Sequence, residues 1–341
     1  PRDWSSDVCS SDLILKWHES QFQQLALRAS TLPHALLLRG PAGIGKRDFA
    51  AAVAQGLLCE QPASALTACG KCQACHWLAS GTHPDCRVLQ PEIAEAGDDD
   101  EPTDKKKKRD ISIAQVRSLE DFINISAHRN GAKVVLIQPA EAMNVNASNA
   151  LLKSLEEPPP SVHFLLVSDR PHMLSATIRS RCQQIVLPPP SAVEALTWLK
   201  QKGVSQPELA LAQAGGAPLL AVELDNPDYW VARRQFIDGL ASRNFDALAL
   251  AERCASQPIP QLINWLQRWT YDLASLVSGQ RLRYNPDCAE VLDSTSKRVK
   301  PLEIMRFHRE LVRFQRVVNH PLNPRLLLED WLLRYRQLIQ V

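Results

Sequence analysis

A chain of 341 residues is long enough for two or three domains, each able to bury a core. Lys and Arg number 39 against 37 Asp and Glu, a net charge of +2, which excludes a histone-like polycation and an acidic disordered tail. Hydrophobic residues make up 45%, as in a globular fold, and no apolar run reaches the ~18 residues of a membrane span.

Residues 1–13 repeat Ser-Ser-Asp, carry no periodicity and read as a non-native leader without the features of a signal peptide. Interpretable sequence begins near Ile14. The apolar run HALLLR (34–39) predicts a buried strand, and GPAGIGK (40–46) leads from it into a helix over 46–58. CRVLQ (86–90) is a second strand candidate. GDDDEPTDKKKKRD (97–110) has no apolar residue and reads as a solvated loop for which no role can be derived. A helix over 112–126 precedes strand KVVLI (133–137). Another over 145–157 stops at Pro158, Pro159 and Pro160, because proline lacks the N–H and clashes with the preceding turn. Strands 163–168 and 183–187 bring the total to five, alternating with helices, which is the pattern of a parallel α/β sheet.

No strand pattern follows the triple proline 188–190. Residues 191–224 read as three short helices, and longer amphipathic helices rich in Leu, Trp and Arg run from about 228 to the end. Their apolar stripes suit a core, and a helical domain in this place also suits oligomerisation; both readings stand. The domains are therefore 14–187 with a cysteine module at 59–86, a short helical segment at 188–225 and a helical domain at 226–341.

Two motifs carry chemistry. Cys59, Cys69, Cys72 and Cys75 offer four thiolates with two successive C-x2-C steps, enough for a closed tetrahedral Zn²⁺ site with a structural role. Cys86, His76 and His83 are weaker alternatives as ligands. Gly40, Gly43, Gly45 and Lys46 form a phosphate loop, whose backbone N–H groups and lysine cradle an anion at a helix N-terminus. The loop's magnesium hydroxyl is missing, because Arg47 stands where Ser or Thr belongs. Gln138 and Pro139 follow KVVLI where an ATPase needs Asp for Mg²⁺ and Glu to polarise water; Glu141 is the nearest acid. Hydrolysis is not expected here. A turn retained for packing and a residual nucleotide site both remain open.

Several stretches together resemble the bacterial clamp-loader subunits of the AAA+ class. They are LPHALLLRGPAGIGK (32–46), the four cysteines, GTHPD (81–85), NALLKSLEEPPP (149–160), FLLVSDRPHMLSATIRSRCQ (164–183) and LNPRLLLEDWLL (322–333), in the family's order. The resemblance implies an AAA+ five-stranded core, a helical lid and a C-terminal helical collar. Within the family the missing catalytic parts resemble the delta-prime branch more than the gamma/tau branch. Pro218 and Leu219 also stand where an active subunit's lid has a sensor arginine.

On that resemblance Arg181 is an arginine finger, reaching across a subunit boundary to ATP bound by a gamma/tau neighbour; Arg179 is a weaker candidate. Ser168 and Asp169 fall at the family's γ-phosphate sensor. The implied partners are gamma/tau and delta subunits in a hetero-pentamer and, through that assembly, the sliding clamp and primer-template DNA, in the cytoplasm. The chain would be a non-hydrolysing stator within a DNA polymerase III holoenzyme, with ATP bound by its neighbours. Two rival readings are a motor ATPase in which Glu141 replaces the missing acids, and a stand-alone zinc-dependent DNA-binding protein using the cysteine lobe and Lys105 to Arg109.

Overall fold

The computed structural model describes residues 13–92, 110–125, 127–128, 131–242, 244–314 and 324–339. The leader up to residue 12 and the charged loop up to residue 109 lie outside these residues. The chain forms two compact units, residues 1–190 and 191–341.

The first unit is built on five parallel strands: β1 (Ala35–Arg39), β2 (Cys86–Leu89), β3 (Lys133–Ile137), β4 (Val162–Ser168) and β5 (Gln183–Val186), in the order β2-β3-β4-β1-β5. The central three are mostly apolar and buried; Leu36, Leu37, Leu38, Val134 and Leu165 have no exposure. The two outer strands differ from the expected apolar runs. Gln183, Gln184 and Val186 of β5 and Arg87 and Val88 of β2 are exposed, because edge strands have one neighbour only.

Helices cover both faces. Helix α1 (Glu19–Ala26) precedes β1, and α2 (Lys46–Leu58) lies on β1, β3 and β4, burying Phe49, Val53 and a run of alanines. After α3 (Gln73–Ala79), helix α4 (Ile113–Asn124) starts on a capping box, in which the Ser112 Oγ accepts from Gln115 N and the Gln115 side chain accepts from Ser112 N. Helix α5 (Val145–Glu156) begins where Asn144 caps Ala147 N and ends ahead of the three prolines. Val116, Leu119, Leu151 and Leu155 from α4 and α5 meet Leu37, Val135, Ile137, Phe164 and Leu166 in one core. Short α6 (Ala176–Arg181) is capped by Ser175 and feeds β5.

The second unit is entirely helical among its described residues. Helices α7 (Ala192–Gln201), α8 (Pro207–Gln213) and α9 (Pro218–Glu223) are the three short helices expected, and Pro218 sits in the first turn of α9, where its missing N–H costs nothing. Helices α10 (Pro227–Ala241), α11 (Ala247–Arg253), α12 (Ile259–Val277), α13 (Ala289–Ser296), α14 (Pro301–Phe314) and α15 (Pro324–Ile339) follow. The stripes of α12 and α15 fill a core: Trp265, Trp269, Leu266, Leu273 and Tyr335 are buried, and the Trp269 indole donates to Tyr335 Oη at 2.7 Å. Residues 191–224 belong to the same compact unit as the later helices. Gln213 on α8 donates to Tyr284 O (2.6 Å) and Asn285 Oδ1 (3.1 Å), while Arg268 on α12 donates to Gln213 Oε1 (3.0 Å). No helix among the described residues is long and apolar enough to cross a membrane.

Candidate functional site

Between β1 and α2 the phosphate loop has the expected backbone. Gly43 and Gly45 adopt φ of 72° and 96°, the left-handed region that glycine occupies without strain. Gly40 is needed for a different reason, since a Cβ there would lie 2.4 Å from the Leu187 carbonyl oxygen. Arg47, at the position of the missing hydroxyl, is exposed.

Lys46 is engaged by groups around the loop. Its side chain is 3% exposed, its ammonium lies 2.6 Å from Asp169 Oδ1, and it also donates to the Pro41 carbonyl. Asp169 follows the last residue of β4 and is 37% exposed. Burial lowers the Lys46 pKa from its usual value, and the Asp169 carboxylate opposes that shift. Glu141 Oε1 accepts from the backbone N–H groups of Asp169 and Arg170, both at 3.1 Å, and so holds the turn that presents Asp169. Gln138 Oε1, Glu141 Oε2 and Ser168 Oγ are enclosed without a hydrogen-bond partner.

The N-terminal segment closes over the loop, which the sequence motifs did not indicate. Trp17 Nε1 donates to the Ile44 carbonyl at 2.9 Å, and His18 Nε2 lies 3.2 Å from the Pro188 carbonyl. The His18 ring meets Phe49 edge-on, and burial pushes its pKa down to about 4, with Lys46 adding to the shift.

The cysteine module is inserted between α2 and β2. Cys59 directly follows α2, Cys72 sits at the N-cap of α3 and Cys75 lies on that helix. Gly56 of α2 admits the module's backbone, for a Cβ there would lie 2.0 Å from the Leu66 carbonyl oxygen. The four Sγ atoms all fall within 4.8 Å of one another, with Cys59–Cys72 at 3.9 Å, Cys72–Cys75 at 3.4 Å and Cys75–Cys59 at 3.7 Å. A tetrahedron with Zn–S bonds of ~2.3 Å has S···S edges of about 3.8 Å, so the four thiols fit a structural zinc ion.

Backbone N–H groups of Lys71 and Cys72 point at Cys69 Sγ and lower its pKa to about 6. Cys59 and Cys75 are buried and shifted upward, a penalty that a bound dication reverses. The alternative ligands stay out of the cluster. Cys86 is in β2, with its thiol pushed up to about 12 by burial; His76 is exposed, and His83 Nδ1 accepts from Asp85 N at 3.0 Å.

Arg181 is the last residue of α6, a short helix that the Ser175 cap starts. Its side chain is 33% exposed. Nη2 lies 2.5 Å from Glu156 Oε1, and Nη1 donates to the Thr177 carbonyl at 3.1 Å. Arg179 is half-buried, with its Nε enclosed and without a partner.

A family described as DNA polymerase III, delta subunit, matches residues 17–191, and its C-terminal counterpart matches residues 227–337. The DNA polymerase III subunit delta' of Pseudomonas aeruginosa is 41% identical over 95% of this chain and 98% of its own. This chain belongs to the DNA polymerase III delta-prime family. The Escherichia coli delta' subunit is 31% identical over 95% of this chain and 96% of its own. A solved gamma-subunit-related protein of Thermotoga maritima aligns over 93% of this chain and 99% of that one, at 17% identity and a TM-score of 0.42.

In this delta-prime family member the motif residues fall into three separate arrangements within the first unit. The sequence located each arrangement, but not the partners of its charged groups. Asp169, at the position the resemblance gives to a phosphate sensor, pairs with Lys46, and Glu156, one acid of the NALLKSLEEPPP stretch, pairs with Arg181.

Proposed function

We propose that this chain is the non-hydrolysing stator of a clamp loader, and that it supplies Arg181 in trans to ATP bound by a gamma/tau-type neighbour. The observation that carries this reading is a contrast between two sites. Around the phosphate loop, Arg47 replaces the metal hydroxyl, Gln138 stands at the metal carboxylate position, Glu141 supports a turn, and Lys46 is paired with Asp169. Arg181, by contrast, ends a helix with its guanidinium partly open to solvent.

A guanidinium offers a planar fork of donors to the charge that builds on a transferring phosphoryl group, and a trans-acting arginine is worth ~10³–10⁵ in rate in GTPases. Its own subunit needs no metal site for that role. The engagement of Glu141 Oε1 with the backbone of Asp169 and Arg170 counts against the motor reading, which needs that carboxylate as its base. Delta and gamma/tau subunits would complete a hetero-pentamer through the C-terminal helices. That assembly would act on the sliding clamp and primer-template DNA in the cytoplasm.

Zinc would be held by Cys59, Cys69, Cys72 and Cys75. When bound it supplies a closed cross-link among four thiolates, with no position for a reacting water.

The test is ATPase activity of the reconstituted assembly with parent chain, Arg181→Ala or Lys46→Ala, each chain also assayed alone. The expected result is an inert isolated chain, a sharp loss of assembly turnover with Arg181→Ala, and little change with Lys46→Ala. ATP turnover by the isolated chain that vanishes with Lys46→Ala would make this a motor subunit and overturn the reading.

A further inference from the structure

The ion pair between Arg181 and Glu156 has a direction that local structure does not account for. Glu156 is the last residue of α5, where the carbonyl end of the helix dipole disfavours a carboxylate. Lys153 is the basic residue of that last turn, yet Glu156 reaches Arg181, on a different element, at 2.5 Å. The three prolines after Glu157 fix where α5 ends, and the Ser175 cap fixes where α6 starts. Both ends of the pair therefore project from rigid elements.

Glu156 Oε1 takes Nη2 and the Thr177 carbonyl takes Nη1. A guanidinium has five N–H donors, so these two acceptors leave the remaining donors for an incoming anion. An arginine without such contacts spreads over many rotamers, and that freedom is lost when it engages a phosphate. Here much of the ordering is done before the phosphate arrives.

We propose that Glu156 is a positioning residue for Arg181: it holds the guanidinium in the orientation that meets the neighbour's phosphate. This inference rests on the trans-arginine reading above. Glu156 does not itself touch the nucleotide. Its contribution is limited by exposure, since Glu156 is 48% exposed and the pair is partly screened by solvent. A loss of about fivefold in turnover corresponds to the upper range for such pairs.

The experiment compares steady-state ATPase of the reconstituted assembly containing parent chain, Glu156→Ala, Glu156→Gln, Arg181→Ala, and the Glu156→Ala/Arg181→Ala double variant. Glu156→Ala is expected to lower kcat by about fivefold while KM for ATP stays put, because the neighbour binds the nucleotide. Glu156→Gln keeps an oxygen acceptor at the same reach and should recover part of the loss. In the Arg181→Ala background, Glu156→Ala should change nothing further.

Turnover with Glu156→Ala equal to or above the parent would show that the carboxylate is a bystander or competes with phosphate. A loss that persists in the Arg181→Ala background would show that the effect runs through α5 instead. Either result overturns the positioning role while the arginine-donor reading survives. An unchanged rate with Arg181→Ala alone would overturn both.

Discussion

Acidification should weaken the clamp of the N-terminal segment on the phosphate loop, through His18. The ring is 1% exposed, it lies edge-on to Phe49, and Nε2 reaches the Pro188 carbonyl. Burial and the nearby Lys46 ammonium lower its pKa from 6.5 to about 4. Between those two values the unfolded chain binds a proton that the folded chain refuses. Stability contributed by neutral His18 is therefore complete above pH 6.5 and is lost as pH falls toward 4. A fall from 6.5 to about 4 corresponds to about 3 kcal/mol, with a slope of at most ~1.4 kcal/mol per pH step of one.

The assay is urea denaturation followed by tryptophan fluorescence from pH 4 to 7.5, on the parent chain and on His18→Gln. Glutamine keeps an N–H for Pro188 and cannot titrate. Protonation of His163 and His308, whose pKa values are also lowered by burial, and of the cysteine thiolates affects both chains alike and cancels in the difference. The parent should lose about 3 kcal/mol more than the variant across that range. Parallel stability curves would refute the assignment of acid sensitivity to His18.

The Lys46–Asp169 pair should respond unequally to removal of its two members. Lys46→Met leaves a partly solvated carboxylate and should shift stability by less than about 1 kcal/mol, whereas Asp169→Asn strands a buried ammonium and should cost about 2–3 kcal/mol by denaturant titration, with the double variant recovering most of that loss. At the cysteine cluster, metal analysis should find one zinc per chain, and Cys72→Ser or a strong chelator should release it and lower the melting temperature of the first unit. Fully buried Asp272 accepts from the backbone N–H groups of Arg283, Tyr284 and Asn285 and from Asn285 Nδ2, the last residue also being held by Arg233. Asp272→Ala leaves those donors unpaired and should destabilise the second unit by about 3–5 kcal/mol in a thermal melt, and an unchanged melting temperature would show that water replaces the carboxylate.

How much of this was legible in the sequence depended on how local the signal was. Strands at 35–39, 133–137 and 162–168 were plain because they are buried on both faces and read as unbroken apolar runs. The start of α4 was set by Ser112 and Gln115 three residues apart, and the end of α5 by Pro158. The four cysteines lie within seventeen residues, so their convergence followed from spacing. Helical periodicity likewise marked Trp265 and Trp269 as one face of α12, though not Tyr335 as the hydroxyl that receives the Trp269 indole.

The pairings of the charged groups at the candidate sites are long-range, and periodicity carries no information about them. Lys46 meets Asp169 where the parallel strands β1 and β4 end, and Arg181 meets Glu156 near where β4 and β5 begin, so the crossovers of the sheet set both pairs. A lysine in a glycine loop carries no local sign of the carboxylate that pairs with it. The sequence by itself determined most of the elements and the cluster of four cysteines, because those depend on residue type and short spacing. Only the tertiary structure decided the partner of each charge, because burial and the strand order choose which acid comes within reach.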